Sequence, residues 1–227
     1  VTPALTALLT VVRVRLFGPA TPADRGASGR RELGAFGNLQ VWLTLAAGAV
    51  GFGGMFAVYS YISPTVTDVG GLPESTVPVF LLSFGLGMVA GTWLAGELAA
   101  RSVFGSLLGG AGGTVPAMLG FWAVAPYGWW LLPVVFAITT LGSVLVVNLQ
   151  LRLMDVAGEA KTLGAAMNHS SLNAANALGA WLGGLALSAF GDFTWMWYAD
   201  MALAVAAALL NLPIREARVQ ALQARAA

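Results

Sequence analysis

The sequence predicts an all-α integral membrane protein with six transmembrane helices, and three observations predict it. The 227 residues are 58% hydrophobic and only 9% charged, with a mean hydropathy of +0.79, whereas soluble domains carry about 25% charged residues. Six apolar segments reach the length of a hydrocarbon core. All 11 Lys and Arg residues fall on alternate connections between those segments and none on the others.

A bilayer core about 30 Å thick needs roughly 20 apolar residues per crossing helix. The predicted spans are residues 41–61, 77–100, 102–125, 129–151, 162–190 and 193–213, a transmembrane domain of 41–213. Their apolar runs are continuous instead of alternating over about ten residues, so helices and not barrel strands are expected. The apolar part of residues 1–17 ends at Val12, too short to cross. It reads as the end of a preceding transmembrane helix, or as a short interfacial helix on an intact protein. Residues 18–40 form a polar linker broken by Pro19, Pro22 and Gly26, and 214–227 form a tail.

The basic residues orient the model. Arg13, Arg15, Arg25, Arg30 and Arg31 precede the first span, Arg101 lies between the second and third, and Arg152 and Lys161 between the fourth and fifth. Arg215, Arg218 and Arg225 follow the sixth, while the 62–76 loop holds Asp68 and Glu74 and no cation. Basic residues stay cytoplasmic, which places both termini inside.

Composition also excludes functions. A net charge of +1 without a basic face argues against nucleic acid as a partner. With no cysteine and one histidine, disulfides, thiolate chemistry and multi-histidine metal sites are ruled out. The chain has no phosphate-cradling glycine loop and no assembled nucleophile or carboxylate pair, so neither a cofactor nor an enzymatic reaction is expected.

Helices in lipid associate through small residues. Gly87 and Gly91, then Gly105, Gly109 and Gly113, then Gly179 and Gly183 have the spacing of packing faces. Pro116 and Pro133 lie in the third and fourth predicted spans, where each removes a donor and can kink the helix. Gly48, Gly51, Gly53 and Gly54 crowd the middle of the first, where the helix can unwind or bend.

Polar groups at membrane depth are costly and point to function. The fifth span carries Asn168, His169, Ser170, Ser171, Asn173 and Asn176. His169, Asn173 and Asn176 share one helical face, which the small residues Ala165, Ala180 and Gly183 extend. Two readings stay open there: the wall of a hydrated cavity, or interhelical hydrogen bonding. His169 is a candidate for carrying a proton, since histidine changes charge near neutral pH, or a neutral hydrogen-bonding group. Asp200, the carboxylate clearly inside a predicted span, is a second coupling candidate, or it pairs with a neighbour or lies close to the outer interface. Phe56, Tyr59 and Tyr61 belong to an aromatic belt or line a ligand pocket; Trp129, Trp130, Trp195 and Trp197 fit the belt.

The run Gly51 to Pro64, GFGGMFAVYSYISP, resembles the seventh-helix region of major facilitator superfamily transporters. Asn168 to Gly184, NHSSLNAANALGAWLGG, resembles their eleventh helix. Both are most similar to the drug/proton antiporter branch with arabinose-efflux and chloramphenicol-efflux permeases, and the likeness covers residues 31–213. It implies the C-terminal six-helix half of a twelve-helix carrier in a bacterial plasma membrane, built as two inverted three-helix repeats. Alternating access would exchange protons for a drug-like or sugar-like small molecule. The implied partners are lipid, substrate and the N-terminal six-helix half, on the same chain or a separate subunit. The first, second, fourth and fifth spans would line the cavity, with Phe56, Tyr59, Asn168, His169, Asn173 and Asn176 as lining candidates. Of the family's cytoplasmic loop motif, Gly96 and Arg101 match, but Ala100 replaces the acid and Val103 the second glycine. Glu97 is spaced to pair with Arg101 instead. The alternative reading is a non-transporting or dimerising six-helix membrane subunit.

Overall fold

The computed structural model describes residues 34–158 and 160–191, with Arg13, Ala202, Leu203, Val205, Ala206 and Leu209. Asp200, the tail and most of the predicted 1–17 and 193–213 segments lie outside the described residues. Every element among the described residues is helical. The long ones are α1 (Leu39–Gly51), α2 (Gly53–Ser60), α3 (Val77–Arg101), α4 (Val103–Val124), α5 (Leu131–Val156) and α6 (Lys161–Phe190). Together α1 and α2 fill the first predicted span, and α3 to α6 follow the next four.

Local chemistry sets the boundaries. The Asn38 side chain caps α1 by accepting from Gln40 N–H at 2.9 Å, and donates to the Val156 carbonyl at 3.0 Å. The predicted glycine-rich bend falls at Phe52, between α1 and α2. It is mild, because Phe52 N–H still reaches the Gly48 carbonyl at 3.0 Å. Ser102 alone joins α3 to α4; its extended backbone breaks the helix and its hydroxyl caps α4 through Gly105 N–H at 2.9 Å. Pro116 lies inside α4 as expected. Pro133 does not kink a helix interior: it sits in the first turn of α5, where its missing N–H would have had no intrahelical partner.

Among the described residues three helical stretches, Leu39–Ser60, Glu74–Arg101 and Val103–Val156, are long and apolar enough to cross a membrane, with hydropathies of 1.8, 1.8 and 2.2. The last has 54 residues and would extend about 80 Å if straight, well over twice a bilayer core. It folds back at Gly128, whose φ of 56° and ψ of −94° suit only glycine. A side chain there would also meet the Gly70 carbonyl at 2.8 Å. Gly128→Ala is therefore expected to cost at least ~1 kcal/mol, read as a lower thermal midpoint in detergent. The 30 residues of α6 are long enough to cross too, but its carboxamides, hydroxyls and imidazole make it the least apolar of the long helices.

Contacts fix the directions. A Cβ on Gly113 would meet Leu141 at 3.0 Å, and one on Gly120 would meet Val134 at 3.8 Å, so α4 and α5 are antiparallel. Ser83 Oγ donates to the Leu132 carbonyl at 3.0 Å and Thr140 Oγ1 to that of Gly87 at 3.2 Å, so α3 runs parallel to α5. Gly48 lies against Leu149 and Gly142 against Met55, which sets α1 and α2 antiparallel to α5. Ser171 Oγ donates to the Leu45 carbonyl at 2.9 Å and Tyr61 to that of Ala180 at 3.0 Å, making α6 parallel to α1 and α2. The crossing direction thus alternates along the chain. Arg101, Arg152 and Lys161 collect at one end of the bundle, while Asp68 and Glu74 lie at the other, where Gly70 meets Gly128.

Phe52, Phe80, Phe121, Leu131, Ile138 and Leu145 are fully buried and form the centre of the core. On α3, side chains at Gly87 and Gly91 would collide with Thr139, Thr140 and the Phe136 carbonyl, so the expected close approach occurs there against α5. Gly179 meets the Gly53 backbone in the same way. On α4 the packing face is different from the one expected. Gly105 and Gly109 are exposed, and Ser106, Gly110 and Thr114 are buried in their place. The other face of α3 is open: Val89 is 69% and Trp93 71% exposed, an apolar surface suited to lipid.

Candidate functional site

The α6 helix has two chemically different faces. Gly164, Ser171, Ala175 and Gly179 are buried, and their spacing forms the stripe that packs on α1, α2 and α5. His169, Ser170, Asn173 and Asn176 are exposed on the opposite side. His169 to Asn176 is seven residues, about 10 Å of helix. The structure therefore brings three of the named residues, His169, Asn173 and Asn176, onto one open polar strip. Of the residues expected to extend it, Ala165 and Ala180 are half-buried and Gly183 is buried.

Asn168 is fully buried, and neither of its amide atoms has a hydrogen-bond partner among the described residues. It lies on the helix-packing side, between Gly164 against Leu153 and Ser171 against Leu45. An unbonded carboxamide gives back little when it is removed. Asn168→Leu is expected to leave the thermal midpoint within ~3 °C of the parent, about 1 kcal/mol, whereas Asn168→Asp buries a charge and lowers it clearly.

The aromatic candidates are elsewhere. Phe56 is half-buried and packs against the core. Tyr59 is 50% exposed, with its ring 5.2 Å from that of Phe84 on α3. Gly179 lies beside Ala57, and His169 is ten residues earlier on the parallel α6, so Tyr59 and His169 stand more than about 15 Å apart along the bundle. Gly96 and Arg101 are exposed at the far end of α3, and among the described residues no ion pair joins Arg101 to Glu97. No group of His, Asp and Glu able to hold a metal occurs among the described residues.

A second polar cluster was not singled out from the sequence. Arg152 is only 5% exposed. It donates to Asp155 at 3.3 Å and reaches Gln40 Oε1 at 3.5 Å, joining α5 to the start of α1. Thr44 and Asn148 are fully buried one turn deeper, each donating to a carbonyl of its own helix. Asn148 carried a signal, as a carboxamide inside a predicted span. Arg152 did not, because a basic residue near a span end reads as a loop.

The sequence is similar to those of known transport proteins. The chain is 31% identical over 183 residues to the Uncharacterized MFS-type transporter YfhI of Bacillus subtilis, covering 79% of the chain and 45% of the relative. It is 36% identical over 162 residues to the Inner membrane transport protein YdhP of Escherichia coli, covering 70% of the chain and 41% of the relative. The chain belongs to the major facilitator superfamily. A third relative is the Chloramphenicol resistance protein of Streptomyces lividans, 31% identical over 219 residues, covering 93% of the chain and 54% of the relative. The chain thus spans about half the length of the curated relatives it matches. No family model matches it. The names of these relatives are those of membrane transporters and a resistance protein, and none describes an enzymatic reaction. Apolar helices and superfamily membership together make this a membrane protein.

Proposed function

We propose that the chain forms the C-terminal six-helix half of a proton-coupled efflux carrier for a drug-like or sugar-like small molecule. In this reading residues 41–213 make two inverted three-helix repeats, 18–40 is the cytoplasmic linker, 1–17 is the end of a preceding helix, and 214–227 is a cytoplasmic tail. The single observation that carries the reading is the exposed strip of His169, Asn173 and Asn176 on a membrane-length helix. Uncovered carboxamides and an imidazole cannot face hydrocarbon without a large cost. They face water, substrate or another protein surface.

A cavity shared with an N-terminal half satisfies that requirement. The carboxamides offer donors and acceptors to a neutral polar solute, and His169 offers a titratable group. Asp200 is the second coupling candidate. Rocking of the two halves would expose the strip to one side of the membrane at a time. Resistance to chloramphenicol in the Streptomyces relative fits export of a small molecule that is both aromatic and polar.

The test is uptake into everted vesicles from cells carrying the chain with an N-terminal half. Radiolabelled chloramphenicol or a hydrophobic dye should accumulate when the interior is acidified. Accumulation no greater than in vesicles lacking the chain would overturn transport, and accumulation indifferent to the pH gradient would overturn proton coupling. Sidedness has its own test in intact cells, using an impermeant maleimide. Asp68→Cys should label and Asp155→Cys should not; the reverse pattern would invert the topology.

A further inference from the structure

The α3 and α4 helices both pack on α5 but diverge from each other, leaving an open groove of about 410 Å³ near the Ser102 joint. Leu94 and Leu98 form one wall, Gly105 and Gly109 the other, and Leu141 and Val144 of α5 the floor. Arg101 stands at its mouth. It is exposed and forms no ion pair among the described residues. The groove explains why Gly105 and Gly109 are exposed: their missing side chains open space between helices instead of drawing two helices together.

We propose that this groove holds an acyl chain of an anionic phospholipid whose phosphate meets the Arg101 guanidinium. The inference rests on the membrane reading but on no transport step. The occupant follows from the chemistry of the site. From Leu94 to Arg101 the groove runs about 10 Å along α3, parallel to a lipid tail, with almost entirely apolar walls. Its one charged group among the described residues is a cation where helix ends reach the headgroup layer, and guanidinium binds phosphate with two parallel hydrogen bonds. A soluble phosphate compound would leave the walls unfilled, and an uncharged lipid would leave Arg101 without a counter-charge.

Native mass spectrometry of the full chain in detergent tests this, with phosphatidylglycerol and phosphatidylcholine of identical acyl chains as probes. The parent should retain phosphatidylglycerol in preference to phosphatidylcholine. Arg101→Gln should cut phosphatidylglycerol retention about fivefold, the equivalent of one cation at a membrane surface, and phosphatidylcholine retention less, because the choline cation already offsets the same phosphate. Gly109→Leu should reduce both lipids by filling the groove. A Cβ at Gly109 meets nothing within 4 Å, so the variant should fold, which unchanged helicity and thermal midpoint would verify. Equal retention of phosphatidylglycerol by the parent and both variants would overturn the lipid site while leaving the transporter reading intact.

Discussion

Gly91→Leu is expected to lower the thermal midpoint of the detergent-solubilised protein by about 10 °C, the equivalent of ~3 kcal/mol for a chain of this size. At Gly91 a Cβ would overlap the Thr140 carbonyl and lie 2.7 Å from Ser143 Cβ. Overpacking a site that can shift its side chains costs about 1–3 kcal/mol. Here the obstacle is the backbone of a neighbouring helix, so relief requires α3 and α5 to separate. That movement would also pull Thr140 from the Gly87 carbonyl and Ser83 from that of Leu132. Thermal size-exclusion measurements should show the loss for Gly91→Leu and none for Gly109→Leu. Equal midpoints would mean that the two helices are not held together at this contact.

His169→Ala should abolish transport driven by a pH gradient, lowering it at least ~10-fold, while substrate exchange across the membrane continues without a gradient. Loss of the titratable group removes the response to protons but leaves both carboxamides in place. Asn173→Ala and Asn176→Ala should have the opposite signature, weakening substrate affinity about tenfold, the equivalent of one hydrogen bond of ~1.4 kcal/mol, with the pH response retained. If His169→Ala leaves gradient-driven transport unchanged, the coupling role passes to Asp200 or another group.

Much of the architecture could be read from the sequence because bilayer thickness and helix rise together fix the length of an apolar run. The predicted 77–100 and 162–190 segments match α3 and α6 to within a residue. Predicted 129–151 fell short, since α5 continues through Arg152 to Val156. Arg152 is buried against Asp155 and Gln40 there, a pairing 112 residues apart in the chain that no local pattern carries. Residue spacing showed that His169, Asn173 and Asn176 share a face, and they do. It gave no indication that Asn168, one position earlier, turns into the helix junction. The glycines of α4 illustrate the same limit: spacing marks a smooth face, but the neighbouring helix decides whether that face is packed. At Pro133 the helix start decides the outcome, because two residues separate a kink from a harmless first turn.

Cysteine-scanning accessibility tests the central claim most directly, because the chain has no cysteine of its own. Asn173→Cys and Asn176→Cys are set against Leu82→Cys and Val89→Cys, all four at exposed positions, in native membranes treated with an impermeant maleimide. The expected result is labelling of the two α6 positions at least about tenfold faster than the two on α3, since only a hydrated thiol ionises readily. Protection of Asn173→Cys and Asn176→Cys alongside rapid labelling of Leu82→Cys and Val89→Cys would contradict it.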